Sequence, residues 1–201
     1  MKKLLTGLVV LMGLSGAVQA GDPQAGKELA SGCVACHGQG GAKPIQDAYP
    51  KLSGLGETYL YRQLKAIQSG DRQIAMMAGQ LDGMSDQDLK DIAAYFDQQQ
   101  MPRGEADPEL VDKGESLYRG GDMSKGVAAC IACHGPQGKG NEPAGYPRVS
   151  GQSSGYVAQT LKDYKSGARV HNEQSQIMGG IASRLSDSQI EAVAEYIEGL
   201  Y

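Results

Sequence analysis

"CVACH" (residues 33–37) and "CIACH" (residues 130–134) contain all four cysteines of this chain and two of its three histidines. Cys-x-x-Cys-His is the attachment pattern of a c-type haem. The chemistry explains the spacing. Two thiols add to the two vinyl groups of one porphyrin as thioethers, and the next residue, a histidine, is held beneath the iron as its proximal ligand. Cys33, Cys36, Cys130 and Cys133 are the expected thioether positions, and His37 and His134 the expected proximal ligands. At ordinary composition a single chance match has odds of about one in a thousand, so two in one chain are not accidental.

Other readings of the motif fit less well. A thiol redox centre places Cys-x-x-Cys at the start of a helix in a βαβ setting, and this sequence has no such pattern. Zinc takes four ligands. No further cysteine exists, and a four-cysteine site shared between the motifs would leave His37 and His134 without a role. The third histidine, His171, reads as a solvated loop residue.

The two motifs lie 97 residues apart, and their surroundings keep that offset. Tyr49 and Pro50 match Tyr146 and Pro147. Leu64 and Lys65 match Leu161 and Lys162, and Arg72 matches Arg169. Beyond Arg169 the offset becomes 101, with Ser85 and Asp86 matching Ser186 and Asp187, and Tyr95 matching Tyr196. One small domain is therefore written twice, with four extra residues between Arg169 and Ser186 in the second copy. The polar stretch "DQQQMPRGEADP" (97–108) reads as the linker. The expected units are residues 21–101 and 102–201.

Residues 1–20 read as a cleaved signal peptide: Lys2 and Lys3, an uncharged apolar run, then small residues at "VQA" (18–20). The run is too short and too broken by Gly and Ser for a membrane span. Loss of these residues removes two lysines and no acids, taking the formal charge from −4 to −6. An acidic chain of this kind is not expected to bind nucleic acid. The thin aromatic supply, no Trp and one Phe, suits domains that obtain core volume from a bound group.

Each copy reads as helical. Ser85 and Asp88 form a capping-box pattern, followed by Leu89, Ile92, Ala93 and Phe96 on one helical face. The second copy repeats this from Ser186 and Gln189 through Ile190, Val193, Ala194 and Ile197. Leu60, Leu64 and Ile67 mark a middle helix, answered by Val157, Leu161 and Tyr164. No stretch alternates with period two, so the expected class is all-α.

The repeat also nominates a sixth iron ligand. After His134 the chain has one methionine, Met178, and counting back 101 reaches Met77. Met76 then aligns with Ile177, which has no donor atom, and Met84 with Leu185. A gap of three instead of four would nominate Met76. Pro50 and Pro147 each stand 13 residues after a motif histidine, and their carbonyls are candidate acceptors for the second ring nitrogen.

With both motifs, "YPKLSG", "YPRVSG", "MSDQDLKDIAAYF" and "LSDSQIEAVAEYIEGL" in view, the chain resembles the dihaem cytochrome c4 family over nearly all of residues 21–201. The resemblance implies two tandem cytochrome c-like helical domains related by a pseudo-twofold axis. It implies His37 with Met77 and His134 with Met178 as axial ligands of two covalent haems. It further implies an electron carrier of the periplasm, working by transient contacts between a cytochrome bc complex and a terminal oxidase, and able to associate with the inner membrane. His/Met ligation raises a haem's potential and leaves no open iron position, which suits outer-sphere transfer. A dihaem peroxidase would need one displaceable ligand, with His171 as the spare histidine. A fixed subunit of a larger dehydrogenase or oxidase is a third reading.

Overall fold

The computed structural model describes residues 20–201; the expected leader, apart from Ala20, lies outside them. Among the described residues the regular elements are helices and short 3-10 turns. The first copy holds α1 (Pro23–Leu29), α2 (Val34–His37), α3 (Glu57–Ser69) and α4 (Asp86–Asp97). The second holds α5 (Pro108–Gly120), α6 (Ile131–His134), α7 (Ser154–Ser166), α8 (Glu173–Ala182) and α9 (Asp187–Gly199). No helix among them is long and apolar enough to cross a membrane.

The expected helices form for the expected reasons. Ser85 accepts from the Asp88 amide and Asp88 accepts from the Ser85 amide, closing the capping box of α4. Ser186 and Gln189 do the same for α9. Leu89, Ile92, Ala93 and Phe96 are buried, as are Ile190, Val193, Ala194 and Ile197. These faces nucleate two separate apolar cores, one in each copy.

Apart from the one-turn helices α2 and α6 at the two motifs, three helices have no counterpart in the periodicity. Both α1 and α5 start from an Asp-Pro pair: Asp22 and Asp107 cap the amides of Gln24 and Glu109, and proline occupies the first turn. They cross α4 and α9 at glycines. A β-carbon on Gly26 would strike the Asp91 carbonyl oxygen, and one on Gly114 the Ala192 carbonyl oxygen. The third is α8. The first copy spans this interval with a 3-10 turn, Ala75–Met77, whereas the extra residues of the second copy wind into a ten-residue helix capped by Asn172.

The two copies meet through exchanged contacts. Arg72 Nη2 donates to the Tyr156 hydroxyl at 3.4 Å, and its repeat mate Arg169 donates to Tyr59, the mate of Tyr156, at 2.8 Å. Asp47 accepts the Gly155 amide at the start of α7, and Glu142 accepts the Thr58 amide at the start of α3. Gln152 bonds both the amide and the carbonyl of buried Lys51, at 2.9 and 2.8 Å. This pairwise exchange is what a pseudo-twofold relation produces. The stretch between α4 and α5 is not a free tether: Met101 is buried in the first core and Gly104 bonds to the Glu198 carbonyl.

Candidate haem sites

Each Cys-x-x-Cys-His motif ends in a one-turn helix, α2 or α6, stopped by a glycine at positive φ, Gly38 or Gly135. None of the four cysteines forms a disulfide. Burial pushes the Cys33 thiol up, and the Cys130 thiol up to about 11. These are unlike the low-pKa thiols of exchange centres. They suit thiols whose fate is a thioether.

The histidines are oriented alike. His37 Nδ1 lies 2.9 Å from the Pro50 carbonyl oxygen, and His134 Nδ1 lies 3.0 Å from that of Pro147. Burial lowers both imidazole pKa values, only partly offset by those hydrogen bonds. A neutral ring that donates from Nδ1 keeps its Nε2 lone pair for a metal. Tyr49 and Tyr146, the residues before the prolines and matched in the repeat, set their rings 6.4 Å from the histidine rings.

The proline carbonyls are fixed by the segments that follow. The Leu52 amide donates to the Gly41 carbonyl and the Val149 amide to the Gly138 carbonyl, both at 2.7 Å. Gly41 and Gly138 sit at φ +68° and +64°, where a β-carbon would also meet neighbouring core atoms. Gly54 and Gly151 then tie the segment to α4 and α9 through the Phe96 and Ile197 carbonyls.

In the second copy, Cys130, Cys133, His134 and Met178 line one apolar cavity, walled by Leu161 and Val193. The first copy closes its far side with Leu55, Tyr59, Arg62 and Gln63 from around α3. The methionine pairs show the same exposure pattern in both copies, although Met77 sits on a 3-10 turn and Met178 on α8. Met77 and Met178 are half-buried, whereas Met76 and Ile177 are 66% and 47% exposed. Met84 packs against the first core and Leu185 is buried in the second.

Arg62 and Arg148 give the cavity a cationic edge, and Arg169 lies behind Tyr156 and Thr160, which line it too. Arg169 is 3% exposed, and no carboxylate pairs with it among the described residues. Its Nη1 donates to Tyr156 and Thr160, and its Nη2 to Tyr59. Burial alone would raise the Tyr156 phenol, yet Arg169 and Arg72 draw it down to about 7. His171 is not the solvated residue its sequence suggested. Both ring nitrogens are buried and without a partner, and burial, with the charges of Arg72 and Arg169, lowers the imidazole pKa.

Two thiols, a neutral imidazole and a thioether converge on an apolar cavity with a cationic edge. That donor set fits a covalently held haem, which Cys130, Cys133, His134 and Met178 would hold. Comparison with known proteins agrees. The cytochrome c family model matches residues 23–100 and 111–200. Cytochrome c4 of Azotobacter vinelandii is 46% identical over the whole of both chains. The chain belongs to the cytochrome c4 family. Its fold matches the crystal structure of reduced recombinant cytochrome c4 from Pseudomonas stutzeri, with a TM-score of 0.87 and 43% identity over 90% of this chain and 100% of that one. A thiosulfate dehydrogenase electron acceptor of Thiomonas intermedia is 36% identical over 84% of this chain and 78% of its own length. As a cytochrome c4 relative, the chain carries two covalently bound c-type haems and is an electron carrier.

Proposed function

We propose that this carrier works in the periplasm, taking electrons from a cytochrome bc complex and passing them to a terminal oxidase. His37 with Met77, and His134 with Met178, are the axial ligands of its two irons. Each haem supplies a site that accepts and returns one electron. The chain supplies the rest. Pro50 and Pro147 hold the imidazoles in one tautomer. Met77 and Met178 close the sixth positions, so that nothing small binds there and electrons pass without bond-making. The two cores keep water from the rings, and the exchanged interface contacts fix the distance between the sites.

One observation carries this reading. Met178 lines the same cavity as Cys130, Cys133 and His134, and its repeat mate Met77 holds the same half-buried place in the first copy. A carrier of this kind docks through small, short-lived contacts. The leader-like residues 1–20 support the exported setting, and attachment to the inner membrane would be peripheral. The relative named as an acceptor for thiosulfate dehydrogenase is more distant, at 36% against 46% identity, and so supports a dehydrogenase donor less well.

Carbon monoxide added to the reduced protein tests the ligation. Neither haem should bind it rapidly. Rapid binding by one haem would instead favour an enzyme with an open or displaceable position.

A further inference from the structure

Gln152 bonds the peptide beside His37 from the other domain. Its Oε1 accepts the Lys51 amide proton at 2.9 Å, and its Nε2 donates to the Lys51 carbonyl at 2.8 Å. The Lys51 N–H and the Pro50 C=O belong to one planar peptide unit. That carbonyl oxygen is the one 2.9 Å from His37 Nδ1. A chain of hydrogen bonds through a single peptide therefore joins a side chain of the second domain to the proximal histidine of the first. Gln152 and Lys51 are both buried, so water does not compete for these groups. The Gln152 side chain is also fixed from its own domain. Its Oε1 accepts the Ser153 amide at 3.1 Å, and its backbone amide donates to the Val149 carbonyl. Lys51 Nζ adds a further contact across the interface, to the Gly151 carbonyl at 2.6 Å.

The second copy lacks this arrangement. Arg148 answers Lys51, and His134 meets the Pro147 carbonyl as His37 meets that of Pro50. Counting 97 back from Gln152, however, reaches Leu55, whose side chain has neither donor nor acceptor. Leu55 is buried and lines the second cavity, as Gln152 does. Among the described residues no side chain accepts the Arg148 amide. Both prolines hold their histidines alike, but only the first peptide is backed from the opposite domain.

We propose that Gln152 is a positioning residue for the first haem, acting from the second domain: by accepting the Lys51 amide it strengthens the Pro50 carbonyl as the acceptor for His37, and so lowers the first haem's potential. The proposal rests on the dihaem carrier reading above, with His37 as an iron ligand. Hydrogen bonds in a chain polarise one another. A peptide whose N–H is taken up carries more negative charge on its carbonyl oxygen. A stronger acceptor at Nδ1 makes the imidazole a more basic ligand. A more basic ligand favours ferric over ferrous iron, and hydrogen bonding around an axial ligand is one of the means by which a protein sets a haem's potential. The second haem, with Leu55 at the matching place, has no such backing.

Redox titration of the full holoprotein tests this, with the first haem's wave assigned as the one that Met77→His moves. Gln152→Leu gives the second copy the residue that the first has. It should raise the first haem's potential and move the second haem's less, although Gln152 lines the second cavity. Deuterium exchange at the Lys51 amide should speed up in the same variant. The His37 ring N–H resonance of the reduced protein should move upfield as its hydrogen bond weakens. Gln152→Glu keeps an oxygen for the Lys51 amide, so its first wave should not rise; it also serves where Gln152→Leu does not load both haems. Native potentials in Gln152→Leu, or a second wave that moves as far as the first, would overturn the proposal, as would a first wave that rises in Gln152→Glu. Fewer than two one-electron waves in the native protein would instead overturn the dihaem carrier reading.

Discussion

The Asp47 carboxylate accepts the Gly155 amide proton at 2.8 Å, across 108 residues, and so caps a helix that belongs to the other domain. Glu142 returns the contact to the Thr58 amide at 2.6 Å. Neither α3 nor α7 has a side-chain cap of its own from the preceding residue, Gly56 or Ser153. Each domain thus completes the other's helix start, where free amides and the helix dipole favour an anion. Asp47→Ala and Glu142→Ala should each cost about 1 kcal/mol, the usual loss for a helix cap. In denaturant, one shared transition of the native protein should split into two in the double variant. An unsplit transition at the native midpoint would mean that these contacts do not hold the domains together.

Gly138 predicts a different failure. It sits at φ +64°, and a β-carbon there would meet the Leu200 side chain and the Ser150 backbone. Its carbonyl anchors Val149, two residues after the proline whose carbonyl faces His134. Gly138→Ala should cost about 1–3 kcal/mol through backbone strain alone. It should also loosen His134, so that the second haem shows weakened ligation while the first is unchanged. Spectra of the two haems in this variant would check it; equal perturbation of both would point to general unfolding.

Acid should act through the same histidines. Burial holds the folded-state pKa of His37 and His134 below the ordinary 6.5, despite the opposing hydrogen bonds from the ring to proline. Between the folded value and 6.5 the unfolded chain binds more protons than the folded one. Stability is therefore full above that window and is lost as pH falls through it. A metal ligand must also be neutral, which adds to the same slope. Thermal midpoints should be level above pH 7 and fall on acidification below 6.5. A midpoint that rises in that window would contradict the assignment.

Much of this arrangement could be read before the fold was known, because the repeat encodes it locally. The helices α3, α4, α7 and α9 announced themselves as apolar stripes, and the Pro50 and Pro147 contacts as a shared spacing of 13. The other features depend on neighbours distant in sequence. Gly179 and Gly180 argue against a helix, yet α8 forms because Asn172 caps it and Gly179 packs against Val170. The Asp-Pro starts of α1 and α5 were a local signal that a search for periodicity passes over. Arg72 and Arg169 matched in the repeat without revealing a role, since each acts on a tyrosine of the other copy. His171 looked solvated for the same reason: Arg72, whose charge acts on its ring, lies 99 positions away.

The adjacent pair Met76 and Met77 gives the sharpest test of the register. Met76 is 66% exposed, like its counterpart Ile177 at 47%, while Met77 and Met178 are half-buried. A thioether bound to ferric iron gives a weak far-red absorption, and both haems should contribute to it. Met77→Leu keeps volume and removes the lone pair, so the first haem's share should vanish, its potential should drop, and it should begin to bind carbon monoxide. Met76→Leu should leave the band intact and cost less than about 1.5 kcal/mol, as a volume-conserving swap at an exposed position. The reverse pattern would move the second-copy insertion by one residue and make Met76 the ligand. If each single variant keeps the band and only the double variant loses it, the first iron exchanges between two neighbouring thioethers. The second iron, with Ile177 beside Met178, has no such exchange, and Met178→Leu alone should abolish its band.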